Sequence, residues 1–246
     1  MKAMILAAGL GTRLRPLTDT RAKALVEVAG RTLLEITLTR LSSFGVSEVI
    51  INVHHFADMI LDYLKAHNNF GLHIEISREE QLLDTGGGLK KASWFFLQDS
   101  AHADEPFILH NVDVISTIDF RRMLDLQNAK QALATLAVQR RRSSRQLLFD
   151  SDLRLCGRQI LQEQEIVRSS PHPQPFAFSG IHIISPRLLS LMQEEGAFSI
   201  IDTYLNLSAR GENIVAFPAD DAYWRDLGRP ADLVQATQDL ENGVSC

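Results

Sequence analysis

Residues 6–18 read LAAGLGTRLRPLT and are followed by Lys23. The apolar residues 2–7 predict a buried strand that runs directly into this glycine-containing loop. Glycines let the backbone pass close to a polyphosphate with its N–H groups turned inward, and Arg13 can fork onto phosphate oxygens. The loop is neither a dinucleotide-binding fingerprint, because Leu14 stands where a third glycine belongs, nor a P-loop, because no Gly-Lys-Ser/Thr follows. The pattern therefore predicts a different kind of phosphate-binding loop.

Strand-like and helix-like segments alternate through the first half of the chain. Strands are predicted at 48–53, 72–77, 106–111 and 132–138, and helices at 32–44, 57–67, 88–97 and 119–128. Residues 48–53, EVIINV, are β-branched without alternation, which is typical of a strand buried on both faces. This rhythm predicts an α/β fold with a doubly wound, mostly parallel sheet of Rossmann-like type.

The rhythm weakens after residue 140. A hairpin is predicted at 146–150 and 153–156, little pattern at 159–174, strands at 176–184 and 214–217, and helices at 186–195, 199–210 and 231–241. The chain contains no repeat, low-complexity tract or flexible linker, so we expect one domain over residues 1–246.

Polar and glycine-rich segments follow the predicted strands. Asn52 ends one strand, residues 84–88 (DTGGG) come after the next, and Asp113 follows a third. Because ligands of open α/β sheets bind beyond the carboxyl ends of the strands, we expect these segments to converge at one edge.

Composition narrows the classes of partner. The chain has 246 residues, 45% of them hydrophobic, and a formal net charge of −5. A basic excess is typical of proteins that bind nucleic acid, so we expect no nucleic-acid partner. No apolar stretch approaches the length of a membrane span, so we also expect no membrane association and a cytoplasmic location. The two cysteines, Cys156 and Cys246, show no zinc or redox spacing, so we expect both to be free thiols.

The loop and its downstream lysine resemble the signature of the nucleoside-diphosphate-sugar pyrophosphorylases. The resemblance continues at 83–88 (LDTGGG), 111–113 (NVD), 178–181 (FSGI) and 224–228 (WRDLG), in the same order along nearly the whole chain, and is strongest to short bacterial members. It implies the fold of the nucleotide-diphospho-sugar transferases. It also implies a nucleotide-binding half over 1–139 and a smaller sugar-phosphate-binding half over 140–246.

The resemblance further implies the reaction and the site. A nucleoside monophosphate would pass from an NTP, with UTP favoured, to a sugar 1-phosphate in a monomer or small homo-oligomer. Because both reactants are anions, Mg²⁺ would be needed, and the resemblance makes Asp113 and Asp226 its ligands. It assigns the following roles: catalysis to Arg13, Lys23 and Asp113; nucleotide binding to Leu6, Ala8, Gly9, Gly11, Thr12, Arg13, Thr85, Gly86 and Gly87; and sugar binding to Glu163, Ser179 and Gly180.

Two positions depart from the family pattern. Ala24 stands where relatives usually have proline, and Val112 stands where they often have glycine. Losing the proline removes a rigid neighbour of Lys23, whereas Val112 would either narrow the ribose site or point into the core. Both departures leave every charged residue of the assigned site in place.

Two other functions compete with sugar-nucleotide synthesis. One is cytidylyl transfer to a non-sugar phosphate such as phosphocholine, which uses a similar loop. The other is a catalytically silent subunit that binds a nucleotide sugar, although retention of all four charged site residues argues against it.

Overall fold

A computed structural model describes residues 1–98 and 104–244, so Cys246 lies outside the described residues. The strands are β1 (Lys2–Leu6), β2 (Glu27–Val28), β3 (Arg31–Thr32), β4 (Glu48–Val53), β5 (His73–Arg78), β6 (Phe107–Asn111), β7 (Val114–Ser116), β8 (Ala134–Gln139), β9 (Arg145–Phe149), β10 (Leu155–Ile160), β11 (Glu163–Ile166), β12 (Gln174–Ile184), β13 (Ile214–Pro218) and β14 (Trp224–Asp226). The helices are α1 (Leu33–Ser43), α2 (Ala57–Ala66), α3 (Asp84–Lys91), α4 (Trp94–Leu97), α5 (Phe120–Ala129), α6 (Arg187–Leu191), α7 (Ile200–Ala209) and α8 (Pro230–Glu241).

The described residues divide into two compact units that are interleaved along the chain. Unit 1 comprises Met1–Leu82, Leu109–Ile118 and the segment from Ala222 onward; unit 2 comprises Leu83–Ile108 and Asp119–Asp221. The two consecutive halves expected from the sequence remain a prediction.

Unit 1 is built on parallel strands. β4 pairs in parallel with β1 on one side and with β5 on the other, and the end of β6 lies beside β1. Ala3, Met4 and Ile5 are fully buried, as are Val49 and Ile50, because both faces of these strands are covered. The carboxyl ends of these parallel strands lie at one edge of the sheet, where the glycine loop begins.

Helix α1 shows how the sequence sets the ends of a helix in unit 1. The Thr32 hydroxyl caps its first turn by accepting a hydrogen bond from the Glu35 N–H at 3.0 Å. The helix ends before Gly45, whose φ of +94° is the left-handed conformation common after a helix. Between these signals Leu34, Leu38 and Leu41 are fully buried and anchor the helix in the core.

Unit 2 contains most of the antiparallel pairs. β12 pairs with β8 and with β9, β9 pairs with β10, and β10 pairs with β11, all antiparallel, whereas β13 pairs with β8 in parallel. The molecule is thus an α/β protein with a central sheet flanked by helices, as the sequence predicts, and the antiparallel pairs of unit 2 make that sheet mixed. Cys156 is buried in β10, and burial raises the pKa of its thiol.

Several segments differ from the sequence-based expectation. The helix expected at 186–195 is shorter, because α6 ends at Leu191. Two other segments differ in kind. The helix expected at 88–97 begins earlier, at Asp84, so the triple glycine lies inside α3 and not in a loop, and a second short helix, α4, follows. A strand, β11, occupies Glu163–Ile166, where no pattern is visible because all four residues are exposed. Contacts with residue Phe198 favour the helical glycines, and backbone pairing with β10 supports β11.

Among the described residues, we find no helix that combines the length and the apolar character that crossing a membrane requires.

Candidate active site

The glycine loop folds back on itself directly after β1. Gly11 adopts a left-handed conformation, with φ of +66°, and a Cβ at this position would lie 2.9 Å from the Thr18 methyl and 3.1 Å from Lys23 Cβ. The Gly11 carbonyl accepts hydrogen bonds from the Thr18 hydroxyl at 2.9 Å and from the Leu14 N–H at 2.8 Å. A glycine is therefore required at this position both by conformation and by the close approach of the Lys23 segment.

The other residues predicted for the loop lie along the same turn. Leu6 ends β1, Ala8 is buried, Gly9 is exposed, and Thr12 begins a short 3-10 turn that also carries Arg13.

Lys23 begins a second 3-10 turn, Lys23–Leu25, and the alanines on either side of Lys23 are buried. Ala22 is 4% exposed and Ala24 is fully buried, so core packing fixes this turn where a proline is absent. The Lys23 ammonium forms an ion pair with Asp113 Oδ2, and both side chains are mostly buried, with 11% and 17% exposure. Val112, the second departure from the family pattern, is also buried, with 3% of its side chain exposed.

A short antiparallel ladder brings the two predicted metal ligands together. Asp113 immediately precedes β7, and Asp226 ends β14 opposite Val114 of β7. The Leu227 N–H donates to the Asp113 carbonyl at 2.8 Å and continues this pairing beyond the strands. Two aspartates 113 positions apart in the sequence (226 − 113) are thereby placed on one side of unit 1.

The charges around Asp226 form one interacting group. Burial raises the pKa of Asp226 above its usual value, and the neighbouring Asp113 carboxylate raises that pKa further. Two effects lower this pKa: a hydrogen bond from the Gly228 N–H, at 2.8 Å, and the positive charges of Lys23 and Arg13. The two aspartates are therefore close enough to repel each other, which is the environment in which a cation is bound favourably.

These carboxylates suit a hard divalent cation. Carboxylate oxygens are the ligands that Mg²⁺ prefers, and Mg²⁺ usually takes only one or two of them together with phosphate and water oxygens. Across residues 1–98 and 104–244, we find no group of three or more His, Cys, Asp or Glu side chains placed to hold a metal. Asp113 and Asp226 could therefore supply the one or two carboxylates that Mg²⁺ usually takes.

The residues predicted to bind the base or ribose lie in unit 2 at the start of α3. The Gly86 and Gly87 N–H groups both donate to the Phe198 carbonyl, at 2.9 and 3.3 Å, and the Thr85 hydroxyl accepts from the Ile200 N–H at 3.0 Å. A Cβ on Gly86 would overlap the Phe198 ring. Packing against residues 196–200 therefore explains why these glycines lack side chains, and their contact with a nucleotide remains a prediction.

The residues predicted to bind the sugar also lie in unit 2, on different strands. Ser179 and Gly180 are buried in β12, within a register irregularity between Phe178 and His182, whereas Glu163 is exposed at the start of β11. Their contact with a sugar remains a prediction.

Gly228 lies in the WRDLG motif, and the sequence alone gives it no role at the site. A Cβ at this position would lie 2.5 Å from Arg13 Nη2 and 2.6 Å from Asp226 Oδ1. The only sequence signal for this role is a glycine two residues after an aspartate. Because Gly228 has no side chain, the Arg13 guanidinium and the Asp226 carboxylate can both lie next to its Cα.

We expect Gly228→Ala to fold normally but to bind a nucleoside triphosphate at least roughly 10-fold more weakly, because the added methyl displaces the flexible end of Arg13 and the Asp226 carboxylate. Calorimetric titration and thermal unfolding measure the two effects. Val234→Ala, at a side chain on α8 that is 61% exposed, is the control. Unchanged affinity in Gly228→Ala would contradict this account of the glycine.

Comparison with known proteins places the chain in a family. A profile described as nucleotidyl transferase matches residues 2–149. N-acetylmuramate alpha-1-phosphate uridylyltransferase from Caulobacter vibrioides is 33% identical over 238 residues, which cover 93% of this chain and 92% of that protein. Mannose-1-phosphate guanyltransferase from Candida albicans is 28% identical over 242 residues, or 96% of this chain but only 64% of that longer protein.

The fold has solved relatives as well. UDP-glucose pyrophosphorylase from Acinetobacter baumannii superposes with a TM-score of 0.77 over 98% of this chain and 94% of that chain, at 18% identity, which supports the likeness of fold alone. Together with the sequence matches, this likeness confirms the resemblance that begins at the glycine loop: the chain belongs to the nucleotidyl transferase family.

Proposed function

We propose that this nucleotidyl transferase moves a nucleoside monophosphate from an NTP to a sugar 1-phosphate and releases pyrophosphate. The observation that carries the proposal is the convergence, in unit 1, of two cations and two carboxylates beside a glycine loop. The relatives support the acceptor class, since two of them are named for transfer to N-acetylmuramate 1-phosphate and to mannose 1-phosphate.

The proposed reaction is an in-line displacement at the α-phosphorus. A phosphate oxygen of the sugar 1-phosphate forms the new P–O bond, while the bond to the β-phosphate oxygen breaks and its electrons leave with pyrophosphate. No covalent intermediate with the protein is required. The barrier consists largely of charge repulsion and alignment, so fixed cations and a rigid loop are the means by which the protein lowers it.

Arg13 and Lys23 receive different roles in this proposal. Arg13 is exposed on the loop and has a guanidinium that can take two phosphate oxygens at once, which suits the β- and γ-phosphates. Lys23 is a mostly buried point charge held against Asp113, which suits the reacting α-phosphate. Leu6, Ala8, Gly9, Gly11 and Thr12 provide the loop backbone around the phosphates.

Asp113 and Asp226 would hold Mg²⁺ together with oxygens of the bound phosphates. When bound, the cation supplies positive charge that neutralises the triphosphate and polarises the phosphorus. The raised pKa of Asp226 supports this assignment, because two adjacent carboxylates are stabilised when a divalent cation joins them.

The remaining assignments are more specific proposals. In unit 2, Thr85, Gly86 and Gly87 are proposed to bind the base or ribose, and Glu163, Ser179 and Gly180 the sugar. UTP and N-acetylmuramate 1-phosphate are the proposed substrates, because the relative that matches over 92% of its own length is named for that pair.

A substrate matrix tests the proposed reaction. UTP, dTTP, CTP, GTP and ATP are each combined with N-acetylmuramate, N-acetylglucosamine, glucose and mannose 1-phosphates and with phosphocholine, and pyrophosphate release is measured. We expect release only when both substrates are present, with the highest kcat/KM for UTP and N-acetylmuramate 1-phosphate. Release with CTP and phosphocholine alone would establish the competing cytidylyl transfer. Nucleotide binding without pyrophosphate from any pair would identify a silent subunit.

The metal assignment predicts a changed Mg²⁺ requirement in Asp226→Asn. This substitution keeps the shape and the hydrogen-bond acceptor for Gly228 but removes a charge, so we expect turnover at saturating Mg²⁺ to fall by roughly 100-fold or more. The Mg²⁺ concentration for half-maximal rate should rise as well. Asp58→Asn, at a side chain that is 82% exposed, is the charge-matched control. A normal Mg²⁺ titration curve for Asp226→Asn would remove Asp226 from the metal site.

Steady-state kinetics separates Lys23 from Arg13. A charge beside the reacting phosphorus is worth about 2–4 kcal/mol in the transition state, so Lys23→Ala should lower kcat by roughly 30- to 1000-fold. Arg13→Ala should lower the rate and should also raise the KM for NTP, because the β- and γ-phosphates are bound before the reaction. If Lys23→Ala changes only the KM for NTP and leaves kcat intact, the proposed position of the lysine is wrong.

A further inference from the structure

One buried side chain joins the ends of three parallel strands in unit 1. The ladder between β1 and β4 ends at the pair Leu6 and Asn52, so the N–H of Ala7 is the first beyond it. That N–H donates to Asn52 Oδ1 at 2.7 Å, and Asn52 Nδ2 donates to Glu79 Oε1, also at 2.7 Å. Asn52 and Glu79 are buried, with 2% and 5% exposure. Glu79 directly follows β5, so the chain of hydrogen bonds connects all three strand ends.

Both ends of this chain of hydrogen bonds are fixed by backbone contacts. The Glu79 N–H donates to the Val53 carbonyl at 2.8 Å, and the Glu79 carbonyl lies 2.8 Å from His54 Nδ1, an imidazole nitrogen that can donate to it. On the other side of β1, the Leu6 carbonyl accepts from the Val112 N–H at 3.1 Å, one residue before Asp113. The point at which the glycine loop leaves the sheet is therefore held from two sides.

We infer that Asn52 is a positioning residue for nucleotidyl transfer, which sets the glycine loop at a fixed place relative to Asp113. The inference rests on the proposed function. Asn52 acts through the backbone of Ala7, and its two side-chain hydrogen bonds go to Ala7 and Glu79. The side-chain amide of asparagine offers an acceptor toward an N–H and a donor toward a carboxylate at the same time.

The local packing separates this role from the stability of the strand. Ala3, Met4 and Ile5 of β1 are fully buried and paired with β4, so β1 remains in place without the Asn52 contact. The residues after Ala7 have left the ladder, and their position depends on how the loop begins. Removing the contact should therefore displace the loop more than it unfolds the protein.

Reversing the polarity of the hydrogen bonds provides the test. Asn52→Asp places a second carboxylate against Glu79, and the resulting repulsion should break the link to Ala7. We expect the KM for NTP to rise and kcat/KM for NTP to fall by roughly 10- to 100-fold, with the KM for the sugar 1-phosphate unchanged. In the double variant Asn52→Asp/Glu79→Gln, the aspartate can accept from both Ala7 and the new amide, so kcat/KM should return to within about 3-fold of the wild-type value.

Two control variants and one further measurement complete the test. Asn68→Asp adds the same charge at an exposed position of unit 1 and should behave as wild type. Glu79→Gln alone supplies the reference for the double variant. Hydrogen exchange of the Ala7 N–H, followed by NMR, should be slow in the wild type and in the double variant and fast in Asn52→Asp.

The outcomes distinguish this inference from the proposed function. If the wild-type Ala7 N–H exchanges as fast as an exposed amide, or if the double variant is as impaired as Asn52→Asp, the positioning role is wrong. Parallel loss of thermal stability and of affinity for both substrates, without rescue, would show a structural role only and would also overturn it. If the wild type has no transferase activity, the proposed function is wrong. In that case calorimetric affinity for NTP replaces KM, and the positioning role is decided by binding and by hydrogen exchange.

Discussion

The ion pair between Lys23 and Asp113 is the contact on which the arrangement of the candidate site depends. It connects residues 90 positions apart in the sequence and holds the turn after the glycine loop against the end of β6. Because both side chains are mostly buried, water screens the pair less than it would on the surface, and leaving either partner alone would be costly. The same aspartate is tied through its carbonyl to Leu227, so the loop, the β7–β14 ladder and Asp226 share one anchor.

The charges of this group balance, and the balance has a chemical consequence. Arg13 and Lys23 contribute two positive charges, and Asp113 and Asp226 two negative charges when ionised. The proposed substrates are both polyanions, so the protein alone offers no excess positive charge to hold them together. A divalent cation would provide that excess, and the two carboxylates would then bind the cation and would no longer oppose the triphosphate. The acidic side chains thus fit an anion-binding site once the charge of the cation is included.

The sequence predicts most of the elements that rest on strong local signals. Residues 48–53 form β4 as expected, because β-branched residues without polar alternation are typical of a strand that is buried on both faces. The convergence of Arg13, Lys23, Asp113 and Asp226 within unit 1 agrees with the rule that ligands bind at strand ends, although their roles remain predictions. The helical triple glycine of α3 could not be predicted, because its cause is the packing of Phe198, more than 100 residues later. The need for a small residue at 228 could not be predicted either, because it depends on the position of Arg13. A local sequence pattern does not show which distant side chain approaches a given Cα.

Because unit 2 interrupts unit 1 in the sequence, the parts of unit 1 are synthesised at different times. The glycine loop, Lys23 and Asp113 all leave the ribosome before Asp119–Asp221, the larger part of unit 2, has been made, whereas Asp226 and Gly228 follow it. At about 5–20 residues per second, the 113 residues from Asp113 to Asp226 take roughly 6–23 s to translate. During that interval β7 has no β14 to pair with, and the Lys23–Asp113 pair lacks its second carboxylate. A nascent chain therefore carries three of the four charged residues for several seconds, and the group is complete only when the segment from Ala222 onward joins the first unit.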